Sequence, residues 1–330
     1  MTKAQNRKQV KLQYRQLADP TGGFSGKTLQ AALIEAMSAS LEGGRLSDNI
    51  LARHYNDDSG YGTLVLNNFD PEESFFFGEL VRFEKGAQLP LLEVGSDLQR
   101  YNLSQATAPA GHEPLRGVLY FMAIDNHVIL LEAEVSGARA ETYMSWLLGP
   151  LCRVVRENCN VILDAELSAE AGSGGLDSID QVVIRPKPVA MPEKHEGDLV
   201  ESEAAVGSAR KDVSRGSTLE VLRAAGMSET DIQKMVEAST SIDVTLQIRF
   251  KEAGRRKALP GIDARRLLRN IPDDEMTLTG KGGRQKNGKI VKLTYPAFVA
   301  VSGSILATSD VRRALHEAYK YFMSNGLIDG

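Results

Sequence analysis

The stretch Leu115–Val135, LRGVLYFMAIDNHVILLEAEV, sets two β-rich runs on either side of Asp125-Asn126. Asp and Asn tolerate the backbone angles of a tight turn, so the two runs are expected to fold back on each other as an antiparallel hairpin. Upstream, residues 63–69 and 74–84 form a second pair divided at Asp70-Pro71. Four antiparallel strands are the economical account. Val10, Leu12 and Tyr14 alternate with Lys11, Gln13 and Arg15, which predicts a half-exposed first strand. Leu29, Leu33, Met37 and Leu41 recur at helical spacing, with Thr28 as the cap and Gly43-Gly44 as the stop. A helix over 138–148, entered through Ser136-Gly137, is followed after Gly149-Pro150 by a second helical piece to Glu157, then by strands near 161–167 and 179–185. These elements define an α+β class with antiparallel, hairpin-rich sheets packed against helices, in two lobes joined by a flexible segment.

The composition shifts after Arg185. Residues 186–216 contain three prolines, charges of both signs and no aromatic side chain, so they read as a linker or mobile loop between an N-terminal domain (1–185) and a C-terminal domain (217–330). Beyond it, Ser217 caps a helix over 218–225 ended by Gly226, and Ser228 with Asp231 opens another to about residue 238. A strand over 240–250 follows, with Ile242, Val244, Leu246, Ile248 and Phe250 alternating, and then a short helix near 263–270. A hairpin over 276–295 turning at 282–288 comes next, and a last helix over 309–323 carries the stripe Val311, Leu315, Ala318 and Phe322.

Charge is segregated along the chain. The net charge is −4, yet 249–292 holds thirteen basic residues against five acidic ones, which leaves −12 on everything else. The thirteen are Arg249, Lys251, Arg255, Arg256, Lys257, Arg265, Arg266, Arg269, Lys281, Arg284, Lys286, Lys289 and Lys292. They interleave with apolar residues at structured spacing, so a folded polyanion-binding face is the natural reading. Asn287-Gly288 would project Lys281, Arg284, Lys286, Lys289 and Lys292 from a compact finger, while Arg265, Arg266 and Arg269 fall on one helical face. Residues 147–249 contain no Phe, Tyr or Trp. Without stacking platforms, backbone contacts to a duplex with little sequence preference are expected.

Signals for catalysis are weak. The loop Gly22-Gly23-Phe24-Ser25-Gly26-Lys27-Thr28 lies between a strand and a helix as a phosphate loop does, but Thr21 stands where the first glycine is required. Asp164 could imitate the magnesium-binding acid of such a site. No Asp or Glu precedes a lysine by two positions, which argues against nucleases that need that element. The five histidines lack paired metal spacing, and Cys152 and Cys159 read as core thiols. The expectation is therefore no catalytic residue, no metal and no cofactor. The longest apolar runs, 118–124 and 128–131, fall far short of the roughly 18 to 20 residues of a membrane helix, and the basic N-terminus has no apolar signal core. A cytoplasmic location is expected.

The order of segments resembles the RexA-type phage-exclusion proteins and, more distantly, the ring-forming RdgC-type recombination proteins. The resemblance is carried by 117–148, by the run from Ser217 to Gly226 leading into Ser241-Ile242-Asp243-Val244, and by Glu275-Met276-Thr277-Leu278-Thr279-Gly280-Lys281. Lys281 matches one of two basic residues on the family's last strand, while Thr279 stands at the other. The resemblance implies a homodimer that binds double-stranded DNA without enzymatic activity, senses a phage nucleoprotein intermediate and signals to a membrane effector of the RexB type. KwaB of the Kiwa defence system is similar in plan. The alternative is an NTP-dependent defence or DNA-repair enzyme using Gly22 to Thr28.

Overall fold

The Asp125-Asn126 turn forms as its sequence requires, with Asp125 at φ 50°, and it is clamped to the start of a helix. The Asn126 side-chain oxygen accepts from the Leu29 amide at 3.0 Å, and Gln30 Oε1 accepts from the Asp125 amide at 2.8 Å. The computed structural model describes residues 6–19, 21–42, 44–57, 61–93, 102–169, 178–184, 189–190, 241–242, 245–249, 251–252, 255–256, 259–271, 276–281 and 290–329. The expected linker, apart from 189–190, and both helices predicted over 218–238 lie outside them.

Nine strands make one antiparallel sheet: β1 (Arg7–Ala18), β2 (His54–Asp57), β3 (Gly62–Glu72), β4 (Phe75–Phe83), β5 (Leu115–Ile124), β6 (His127–Ala133), β7 (Ile162–Ala165), β8 (Thr294–Ser302) and β9 (Ile305–Leu306). The order is β9-β8-β1-β6-β5-β4-β3-β2, with β7 also paired to β1. Four described helices accompany the strands: α1 (Leu29–Ser38), α2 (Gly137–Trp146), α3 (Gly261–Leu268) and α4 (Thr308–Ser324). The fold is α+β.

The central strands read as unbroken apolar runs because both faces of the sheet are covered. Leu119, Phe121, Ala123, Val128 and Leu130 pack with Leu33, Met37, Tyr143 and Leu147 from the α1 and α2 side. Tyr120, Met122, Ile129 and Leu131 face the other way and pack with Val311, Leu315, Ala318 and Phe322 of α4. The stripe read from the sequence is thus the buried face of the last helix. Thr28 caps α1 as expected, its hydroxyl accepting from the Ala31 amide.

Several elements differ from their expected forms. The strand β3 continues through Asp70-Pro71 to Glu72, where its register still pairs Pro71 with Phe76. The helical piece expected to reach Glu157 is a π-helical turn, Leu147–Leu151, containing Pro150, whose missing N–H keeps an α-helix from continuing. The antiparallel pair Gln88–Glu93 with Asn102–Thr107 was not anticipated. Met276–Lys281 pairs with Ser178–Ile184, and Ile290–Lys292 with Leu167–Ala169, so the flanks of the expected finger hairpin pair with other strands. Residues 282–289 between them lie outside the described residues.

The chain divides spatially into two compact units. Unit 1 comprises Met1–Glu166, Arg265–Asn270 and Lys292–Gly330; unit 2 comprises Leu167–Ala264 and Ile271–Val291. This differs from the expected division at 185 and 217, because β8 returns to pair with β1 from Arg7 to Gln13 and α4 covers the sheet built by the first half of the chain. In unit 2, Ser178–Ile184 is paired with Leu246–Arg249, Leu259–Pro260 and Met276–Lys281.

Gly78, within β4, has no room for a side chain. A β-carbon on Gly78 would sit 2.3 Å from the Phe121 ring, which is itself buried. Gly78→Ala is expected to lower stability by about 1–3 kcal/mol, the usual range for overpacking a closed core. Urea unfolding of wild type and variant checks this, and equal midpoints would contradict the packing described.

Candidate nucleic-acid interface

Three of the basic residues expected to meet phosphates are engaged within unit 1. Arg265 pairs with Glu166 at 2.6 Å, Arg266 with Asp164 at 3.5 Å, and Arg269 with Glu141 at 2.8 Å. Glu141 projects from α2 with its side chain only 8% exposed, and it also accepts from the Leu163 amide at 2.7 Å and from Asn270 Nδ2 at 3.2 Å. One carboxylate therefore joins a helix, β7 and the segment after α3. Burial raises the carboxyls of Asp164 and Glu166 above their ordinary values, against the lowering influence of Arg266 and Arg265 respectively. Asp164 Oδ1 and Arg266 Nε are buried with no hydrogen-bond partner, so the pairing is imperfect. Lys292, also expected in the interface, is buried. The three arginines are thus half-buried and paired with carboxylates of unit 1, and Lys292 is enclosed, so the four do not form one open phosphate track.

Sequence reasoning assigned the arginines but not their partners. The available signal was Asp164-Ala165-Glu166, two acids at strand spacing on one face, together with Glu141 between Ala140 and Tyr143 on the buried side of α2.

The remaining basic residues belong to unit 2. Arg249 ends the strand Leu246–Arg249 and Lys281 ends Met276–Lys281. Lys251–Glu252 pairs with Arg255–Arg256 in a two-stranded ribbon whose register sets Lys251 opposite Arg256 and Glu252 opposite Arg255. Lys257, Arg284, Lys286 and Lys289 lie outside the described residues. Unit 2 as a whole carries 17 Lys/Arg and 19 Asp/Glu, whereas its part from 249 to 291 carries nine against five. The positive charge is a local feature.

The glycine-rich loop is occupied by the chain itself. Asp19 accepts from the amides of Gly23 and Phe24 at 2.7 and 2.9 Å, so a resident carboxylate holds two amides that a phosphate would need. Lys27 pairs with Glu35 at 2.6 Å, and Phe24 is buried. A β-carbon on Gly23 would meet Cys159 Sγ at 2.3 Å, which explains that glycine by packing.

A cleft of about 690 Å³ lies in unit 1 beside the start of α4, lined by Phe75, Phe77, Met122, Thr308, Arg312 and His316 among others. Its arginines are also paired: Arg312 with Asp70 and Glu72, Arg313 with Asp310 and Glu317. Burial and the nearby Lys320 lower the His316 pKa. Among the described residues no group of His, Cys, Asp and Glu could hold a metal ion, and no helix is long and apolar enough to cross a membrane. No protein-family model matches the chain, and neither the curated proteins nor the solved structures contain a match to it.

Glu141→Ala leaves Arg269, Asn270 and the Leu163 amide without their acceptor. A loss of about 3–5 kcal/mol is expected, as for one member of a buried pair, and denaturant unfolding measures it. The pH dependence has a definite sign. A carboxyl whose folded pKa is raised holds more protons folded than unfolded, so its contribution favours folding as pH falls from neutral toward the ordinary carboxylate range. Asp164→Asn removes that contribution, and the variant is expected to lose stability more steeply than wild type in this window. Parallel pH-stability curves would contradict it.

Proposed function

We propose that the protein binds double-stranded DNA with little sequence preference, through the basic part of unit 2, and acts without catalysing a reaction. The observation that carries this reading is the ribbon register. Lys251 stands directly opposite Arg256, an arrangement that destabilises a strand pair unless an anion lies over it. Phosphates supply such anions at regular spacing. Arg249 and Lys281, on strands paired to Ser178–Ile184, extend the positive charge along the same unit. The Gly22 to Thr28 loop supports the nucleotide-dependent alternative less well, since Asp19 already takes its amides.

The resemblance to RexA-type proteins supports a wider reading of the same activity: a homodimeric sensor in phage exclusion or abortive infection that responds to a phage nucleoprotein intermediate and signals to a membrane effector of the RexB type. The same reading supports a cytoplasmic location, where such a sensor would meet DNA.

The test is a mobility shift on several unrelated duplexes at graded salt. Each neutralised phosphate contributes about −0.9 to the slope of log K against log salt, and with nine basic residues available the slope is expected to be no steeper than about −8. Lys281→Ala combined with Arg284→Ala should weaken all sequences alike and make the slope shallower by about 2. Binding absent at low salt, or unaffected by salt, would end this reading.

A further inference from the structure

The sheet of unit 1 is covered unevenly. Among the described residues, the core beneath α1 and α2 takes nothing from β8, β9 or the first half of β1. Successive strand residues point to opposite faces. Ala297, Val299 and Val301 pack toward α4, so Pro296, Phe298 and Ala300 belong to the other face. The register carries that face across three strands: Arg7 stands opposite Ala300, Gln9 opposite Phe298, Lys11 opposite Pro296, and Ile305 opposite Ser302.

Apart from the buried Ala300, this face exposes a mixture of apolar and cationic groups. Phe298 is 59% exposed and Ile305 56%, and Pro296, Gln9, Lys11 and Arg7 are exposed around them. Arg7 donates to the Phe298 backbone carbonyl at 2.8 Å. It also reaches Asp310 at 3.5 Å, yet half of its side chain remains open. A phenyl ring left more than half in water beside a cation, on a sheet whose central apolar residues are covered on both faces, is a candidate contact surface.

Charge decides what the contact is. A second copy packed on the same patch would bring two Arg7 side chains into one interface with no added carboxylate from this face. Duplex DNA offers phosphates, but its bases are already stacked and present no open π-face to Phe298. A single strand offers both, with unstacked bases for the ring and phosphates for the cations. We propose that this half-face docks single-stranded DNA, with Phe298 as the stacking platform, Gln9 beside it facing a base edge, and Arg7 contacting a phosphate. The proposal is independent of the duplex reading, which draws on unit 2.

The experiment uses the full chain and a fluorescent oligo-dT strand in anisotropy titrations, with a labelled duplex, an oligo-U strand and an oligo-glutamate peptide as parallel probes. Wild type is expected to bind oligo-dT. Phe298→Ala should weaken that binding by roughly 5- to 150-fold, the range for loss of one stacking residue, and leave duplex binding unchanged. Phe298→Leu keeps an apolar side chain without a π-face and should lose affinity similarly, while Phe298→Tyr should retain it. Arg7→Ala should make the salt slope for oligo-dT shallower by about 0.7. Photocrosslinking of an iodouracil-containing strand to the peptide bearing Phe298 in the wild-type protein gives a readout that needs no variant. The proposal is overturned if wild type does not bind oligo-dT, if Phe298→Ala and Phe298→Leu bind it as wild type does, or if the crosslink maps elsewhere. Tighter binding of oligo-U, or oligo-glutamate competing equally well, would reassign the surface to RNA or to an acidic polypeptide and overturn it too.

Discussion

Unit 1 depends on the two edges of β1. On one edge, residues 13–16 pair with β6; on the other, residues 7–13 pair with β8 and residues 15–18 with β7. Three segments far apart in sequence are therefore registered on one twelve-residue strand. Because side chains alternate, this register also assigns Leu12 and Tyr14 to the core under α4, and Arg7, Gln9 and Lys11 to the opposite, open face. A shift of one residue in β1 would exchange these sets, burying charge and exposing the core. The positions of β7, and hence of Asp164 and Glu166, follow from the same pairing.

That arrangement divides the basic residues of 249–292 by environment. Arg265, Arg266 and Arg269 belong to unit 1 and are met by Glu166, Asp164 and Glu141 in partly buried pairs, of which Glu141 alone is fully enclosed. Pairs withdrawn from water in this way repay little of their desolvation, yet breaking the one at Glu141 leaves groups stranded, so they act as a fastening more than as a source of net stability. The ribbon at Lys251 to Arg256 has the opposite character: a like-charged cross-strand pair with one acid, Glu252, in the ribbon to offset it.

Much of the sheet was legible from local pattern. The hairpin at Asp125-Asn126, the capped first helix and the amphipathic last helix follow from turn chemistry, a side-chain cap and helical periodicity, which are all short-range. The union of the first and last segments was not legible, since nothing in Arg7–Ala18 or Thr294–Ser302 specifies which strand each will pair with. The same limitation affected the site. Arg265, Arg266 and Arg269 read as a cluster for phosphates because their partners lie about a hundred residues or more away in sequence. Nothing in the sequence singles out Phe298, because its exposure depends on which face the helices cover.

The division of cations into structural and DNA-facing sets is the claim on which the account turns. It is tested most directly by comparing two triple variants, Arg265→Ala with Arg266→Ala and Arg269→Ala, and Lys251→Ala with Arg255→Ala and Arg256→Ala, in denaturant unfolding and in duplex titrations at graded salt. The account predicts that the first variant loses stability but, under conditions where it remains folded, keeps the wild-type salt slope, whereas the second unfolds as wild type does and has a shallower slope by about 2 to 3. A shallower slope in the folded first variant, with the second unchanged, would contradict it.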